Sequence, residues 1–183
     1  LKPLLEDPKI KKVGQNIKYD FIVFKNEGID LQGITFDTML ASYLLNPSSR
    51  GHNLDALALE YLGHTTIKYK DVVGTASKEI GFDVVDVERA TEYAAEDSDI
   101  TWRLYGKLSA LLKGDDLKIF NELELPLLEV LGDMELQGMA LDKPHLQKLS
   151  QKIHELLQKK EKEIYDLAGE QFNINSPKQL SVI

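Results

Sequence analysis

The order of residues predicts an α/β fold, with a partly parallel sheet covered by helices and followed by a mainly helical tail. Three observations carry that prediction. Short β-branched or aromatic runs alternate with amphipathic helical runs over residues 1–45, one long helical pattern fills 87–112, and helical spacing dominates after residue 114.

Taken in order, Leu1 to Glu6 reads as the end of a helix closed by Pro8. Val13-Gly14-Gln15, preceded by two lysines, is a short candidate strand. Asn16 is suited to cap a helix from Ile17 to about Asn26, and Gly28 stands where a C′ glycine is expected. Gly33 to Asp37 reads as a second strand, and Asp37 can cap a helix from Thr38 to Leu45. Residues 47–51 form a turn-rich loop, and Asn53 to Leu62 is an amphipathic helix stopped by Gly63. From His64 to Phe82 the pattern is weak, which predicts mostly loop with one helical turn, and long irregular segments are often functional. Asp86 caps the long helix, which ends near Lys113-Gly114, and the domain boundary is placed there, giving 1–113 and 114–183. A new pattern runs to about Gln137 with Pro126 as a kink. Gly138 to Leu141 is extended, and Asp142-Lys143-Pro144 opens a charged helix to Ala168-Gly169. Its mixed-sign run from Gln158 to Glu163 is read as a solvated face. Asn175 to Leu180 looks like a capped helix start.

Composition narrows the function classes. Hydrophobic content of 43% and charged content of 28% are globular values, and the absence of cysteine excludes a disulfide framework or a thiolate metal site. No signal-peptide pattern and no membrane-length apolar run is present, so the expectation is a cytoplasmic, nucleoid-associated protein with no membrane role. The net charge of -8 argues against duplex binding through the overall field. Any nucleic-acid contact must be local or use positive surface elsewhere. No obligate protein partner is evident.

Two carboxylates break the apolar stripes. Along the long helix, Tyr93, Asp97, Ile100, Leu104 and Leu111 point roughly the same way at about 100° per residue. Asp20 falls on the side of Ile17, Phe21 and Phe24. An inward carboxylate needs a cation, a metal or dense hydrogen bonding. Two of them suit hard divalent ions such as Mg2+ or Mn2+, and a metal pair about 4 Å apart can drive phosphodiester cleavage. On pattern alone, a satisfied structural Asp competes with that reading. The four histidines, His52, His64, His145 and His154, form no ligand cluster and read as surface residues. No P-loop, dinucleotide fingerprint or nucleophile elbow is present.

The stretches Lys12 to Asp20, Phe36 to Leu45 and Tyr93 to Thr101 resemble the proofreading exonuclease region of bacterial family A DNA polymerases. That region belongs to the ribonuclease-H-like DEDD exonucleases. Asn16-x-x-x-Asp20 is similar to the group's second motif and Tyr93-x-x-x-Asp97 to its third. Glu124 to Leu128, Met134 to Met139 and Phe172 to Leu180 resemble the start of the polymerase domain at the base of the thumb. The resemblance implies Asp97 as a direct ligand of the metal carrying the attacking water, Tyr93 orienting that water, and Asp20 helping to hold the second ion. It further implies that Gln15, Asn16 and Tyr19 contact the frayed 3' end, that Tyr69 lies against the single strand, and that Arg50 supplies the arginine before the helix at Asn53. The substrates implied are a single-stranded 3' DNA end and, through the intact polymerase, a primer-template duplex.

The group's first motif, Asp-x-Glu, should lie upstream of Leu1. The chain therefore reads as a fragment of a ribonuclease-H-like fold lacking its first strands, with two divalent ions expected in the intact domain and little nuclease activity alone. A decayed, non-cutting single-strand-binding domain and a ribonuclease-D-like exoribonuclease are the alternatives.

Overall fold

A computed structural model describes residues 1–75 and 80–183. Part of the stretch read as mostly loop, residues 76–79, lies outside the described residues. The chain divides into two compact units, Leu1–Gly138 and Met139–Ile183.

The first unit is a mainly helical α/β fold around a small parallel sheet. After a short α1 (Lys2–Leu5), β1 (Lys12–Gly14) pairs in parallel with β2 (Ile34–Asp37), Val13 facing Phe36 and Gly14 facing Asp37. The crossover between them is α2 (Ile17–Asn26), since parallel neighbours need a connection long enough to return the chain. Gly14 is forced by packing. A Cβ there would lie 2.7 Å from the Ile17 Cβ.

Asp37 organises this corner. It is 1% exposed at the end of β2 and begins α3 (Thr38–Leu45), where its Oδ1 accepts from the amides of Met39 (2.8 Å) and Leu40 (3.1 Å). Its Oδ2 accepts from the Ile17 amide at 2.7 Å, so one carboxylate caps two helices. The expected cap of α2 is corrected accordingly. Asn16 stands at the N-cap, but its side chain makes no capping bond. Its backbone is left-handed, φ 54° and ψ 44°, which turns the chain from β1 into α2 and points the Ile17 amide at Asp37.

The helix expected over Asn53 to Leu62 is α4 (Leu54–Leu57) continued by a π-helical turn, Ala58–Leu62, with Asn53 as cap and left-handed Gly63 as stop. The one helical turn expected after it is α5 (Tyr69–Val73), and a 3-10 turn spans Phe82–Val84. The long α6 (Val87–Leu111) starts on Asp86, whose carboxylate accepts from Glu88 and Arg89. Its buried stripe is Ile100, Leu104 and Leu108, packed with Phe36, Ala41, Leu57 and Phe120. Leu111 is not on that stripe, being 51% exposed. Leu112, where the backbone leaves the helix, turns inward to 2% exposure instead.

Helix α7 (Gly114–Ile119), a π-helical turn (Phe120–Glu124) and α8 (Leu125–Gln137) complete the unit. Pro126 follows the π-helical turn in a backbone that stays helical through Glu124 and Leu125, so the irregularity precedes the proline, which cannot donate to the regular ladder. Phe120 and Leu128 are core residues, which is why the compact unit runs to Gly138. Leu128 joins Ile17, Phe21 and Leu31 in a second cluster that fixes α2 against α8. Gly132 makes the approach possible, because a Cβ there would lie 2.7 Å from the Phe21 ring. Helix propensity alone makes Gly→Ala favourable by about 1 kcal/mol. Overpacking opposes it by about 1–3 kcal/mol. Gly132→Ala is therefore expected to lower the urea midpoint, and a stabilised variant would show that α2 and α8 separate without penalty.

In the second unit, α9 (Lys143–Ala168) is capped by Asp142 and ended by left-handed Gly169. The charged run over 158–163 is exposed. Tyr165 meets Phe172 edge-on at 5.8 Å, and Ser176 caps α10 (Pro177–Leu180). No helix among the described residues is long and apolar enough to cross a membrane.

Candidate active site

The end of β1, the start of α2 and the middle of α6 enclose a cleft of about 530 Å³. Val13, Ile17, Phe24 and Leu54 give it an apolar floor, and Gln15, Asp20, Asp97, Ser98 and Thr101 supply polar groups. Each carboxylate is placed by its helix. Asp20 is the fourth residue of α2, whose start is fixed by Asp37, and Asp97 lies one turn before Ile100, the first buried residue of the α6 stripe.

Both carboxyls are pushed above the ordinary carboxylate range. Burial is the main cause for Asp20, opposed in part by a backbone hydrogen bond and reinforced by the charge of Asp37. Asp20 is exposed, not the inward residue expected, because it sits at the rim of the α2 stripe, and its partial desolvation comes from the cleft walls beside it. Burial is also the main cause for Asp97, with Glu96 and Asp55 adding like charge and a hydrogen bond from Tyr93 opposing them. Among the described residues, no cation is named among the groups acting on either carboxyl. The Tyr93 hydroxyl is pushed up to about 12, by burial first and then by Asp97. It stays protonated at neutral pH and can donate.

Tyr93 also meets two other rings. Its edge stands against Tyr69 at 6.2 Å and Phe82 at 6.1 Å, and those two rings lie nearly parallel, 6.0 Å apart with 17° between planes. The segment leading to Tyr69 is tied down by two carboxylates. Glu96 accepts from His64 Nε2 at 2.8 Å and from the Ile67 amide at 2.7 Å. Asp55 accepts from the Thr66 hydroxyl and from Lys68 Nζ at 2.6 Å.

Gln15 is held by its own amide, whose Nε2 donates to the His52 carbonyl at 2.8 Å and whose oxygen accepts from Thr38. His52 is not the surface residue expected. Its Nδ1 pairs with the buried Ser42 hydroxyl at 2.8 Å and its ring stacks on Tyr43 at 4.2 Å, because the chain between α3 and α4 folds back over α3. His64 is likewise engaged, half-exposed, with Glu96.

The fold thus brings Asp20, Asp97 and Gln15 into one cleft, with Tyr93 beside Asp97 and Tyr69 beside Tyr93. Asn16 faces a smaller cavity of about 170 Å³ with Asp37 and Leu128. Tyr19 is 67% exposed, and Arg50 is exposed on its loop; neither lines the cleft. Sequence reasoning missed Trp102 and Lys12 on the cleft wall, the partner ring Phe82 and the anchor Glu96. For Trp102 and Phe82 the available signal was a large aromatic outside the apolar stripe.

The donor set fits a divalent ion in part. The two carboxylates offer hard oxygen ligands. The like charges acting on Asp20 and Asp97 come from Asp37, and from Glu96 and Asp55, rather than from each other. Among the described residues, no group of three or more His, Cys, Asp or Glu is placed to hold a metal.

Residues 1–113 match the 3'-5' exonuclease family model of DNA polymerase A. The chain belongs to this exonuclease family. Over its whole length it is 47% identical to DNA polymerase I of Rhizobium leguminosarum and 44% identical to that of Pseudomonas aeruginosa, covering 18% and 20% of those proteins. It is 33% identical over its whole length to DNA polymerase I of Bacillus subtilis, again covering 20%. The chain therefore spans about a fifth of the length of the curated relatives it matches. Among solved structures, it is similar to the POL domain of Pol1 from M. smegmatis in complex with DNA primer-template and dNTP. That likeness has a TM-score of 0.69 and 28% identity, and it covers 98% of this chain and 28% of the other. The exonuclease match ends at residue 113, whereas the compact unit continues to Gly138.

Proposed function

We propose that the chain is part of the proofreading exonuclease of a DNA polymerase I, on a ribonuclease-H-like scaffold, which hydrolyses a mismatched nucleotide from a single-stranded 3' end. The carrying observation is the single cleft lined by Asp20 and Asp97, two carboxylates from different helices whose burial disfavours the charge unless a cation binds. Divalent ions held there, Mg2+ or Mn2+, supply an activated water and charge stabilisation for the leaving oxygen. Asp97 and Asp20 provide carboxylate ligands for them. Tyr93, protonated at neutral pH, orients a water beside Asp97. Tyr69 stacks against an unpaired base. Asn16, Tyr19 and the Gln15 amide flank the strand, and Arg50 reaches a phosphate. The proofreading domain is residues 1–113, and 114–183 opens the polymerase domain, which in the whole protein meets the primer-template duplex.

Two carboxylates make a thin cage for two ions, so the chain by itself is expected to hold a 3' end better than it cuts one. The second reading is a domain that guides the strand without cutting it. A 3'-labelled single strand incubated with Mg2+ or Mn2+ tests both. The expected result is tighter binding to the single strand than to the same sequence in blunt duplex, with slow or no degradation. Equal affinity for both substrates would overturn the proofreading reading. Robust degradation that is lost in Asp97→Ala would overturn the incomplete-cage argument and the guiding reading with it.

A further inference from the structure

We propose that Phe82 is a base-stacking residue, the second leaf of an aromatic shelf on which an unpaired nucleobase lies beside the Tyr93–Asp97 pair. The inference rests on the single-strand reading above and extends it to a residue outside the matched motifs. Tyr69 and Phe82 lie nearly parallel, and Tyr93 stands edge-on to both at almost equal angles, 63° and 61°. The three rings therefore form one cluster, in which Tyr93 also meets Asp97 through its hydroxyl. Tyr69 is 51% exposed and Phe82 39% exposed, and neither belongs to the two buried clusters of the unit. Rings serving only to fill a core would be covered. Here much of the apolar face remains in water, which is unfavourable until something flat and apolar occupies it.

The anchoring of the shelf supports a binding role over a packing one. The two carboxylates Glu96 and Asp55 fix residues 64–68, so Tyr69 begins α5 from a tethered position. A pre-set aromatic surface loses little freedom when a ligand lands on it. The occupant that fits is a base of a single strand, because every base offers a π-face and an unpaired end leaves that face accessible. Asp55, Glu96 and Asp97 act at the Tyr93–Asp97 end of the cluster, while Lys68 and Lys70 flank Tyr69 in the chain, so what the rings themselves offer a strand is stacking.

The experiment measures binding of a fluorescently labelled single strand to the full chain by anisotropy. Wild type is compared with Phe82→Leu, Tyr69→Leu and Phe82→Trp, on an intact strand and on one whose last three nucleotides are abasic. Leucine keeps bulk and apolarity but removes the π-face, and the thermal midpoint of each variant reports folding. Phe82→Leu is expected to weaken binding of the intact strand roughly 5- to 100-fold, to leave binding of the abasic strand unchanged, and to be rescued by Phe82→Trp. Wild-type affinity in Phe82→Leu, or equal losses on the intact and abasic strands, would overturn the proposal. If Tyr69→Leu shows the base-dependent loss and Phe82→Leu does not, the Phe82 inference alone fails. If wild type does not bind the single strand, the proofreading reading fails with it.

Discussion

Asp37→Ala is expected to lower the stability of the first unit by about 2–4 kcal/mol, read as a fall in the urea midpoint without a change in slope. Removing the carboxylate costs α3 its cap, worth about 1 kcal/mol. It also strands the Ile17 amide, and an unsatisfied buried donor costs about 1–3 kcal/mol. Asp37→Asn keeps one acceptor but turns the other oxygen into a donor facing a donor, so its loss should fall short of alanine's. The pH dependence separates charge from hydrogen bonding. Burial pushes Asp37 above the ordinary carboxylate range, partly offset by amides from Ile17, Leu40, Met39 and Asn16. The folded state therefore holds the proton more tightly than the unfolded state. Asp37's contribution is greatest in acid and diminishes as pH rises from the unfolded value of 3.8 through the raised folded one. The stability difference between wild type and Asp37→Asn, followed across that window, should shrink with rising pH. A difference that grows would show that the amides, not burial, dominate.

Asp97→Asn should move stability in two directions. Without metal the variant is expected to melt higher than wild type at neutral pH, because burial and the charges of Glu96 and Asp55 disfavour the ionised carboxylate in the folded state. With Mn2+ the order should reverse. A ligand that binds the folded state a hundredfold above its dissociation constant adds about 2.7 kcal/mol, a rise of several degrees in a domain of this size, and the variant should lack it. Calorimetric scans with and without Mn2+ provide the check. Equal Mn2+ stabilisation in wild type and variant would remove Asp97 from the ligand set. A lower midpoint for the metal-free variant would show that the Tyr93 hydrogen bond outweighs desolvation.

Local elements were readable where one short-range rule decides them. The bounds of α2 and α3 follow from apolar spacing, and the caps at Asp37, Asp86 and Asp142 from residue type before a helical run. Asn16 shows where that rule stops. Its residue type fits a cap, yet its left-handed backbone leaves the side chain without a capping bond and Asp37 takes the Ile17 amide, an arrangement visible only once β1 and β2 are paired. Leu111 and His52 fail for related reasons. Helical phase does not say where the chain leaves the helix, and a histidine between two helices reads as surface until the loop folds back.

The sequence by itself determined the α/β alternation, the approximate course of the helices, and Asp20, Tyr93 and Asp97 as candidate residues. These depend on neighbours within a few residues. Tertiary structure alone decided that Asp20 and Asp97 share a cleft, that Asp37 serves two helices, that Phe82 meets Tyr69 and Tyr93, and that the compact unit extends to Gly138. Each of those joins residues far apart in the chain, and such contacts are set by which faces bury one another, which no local periodicity encodes.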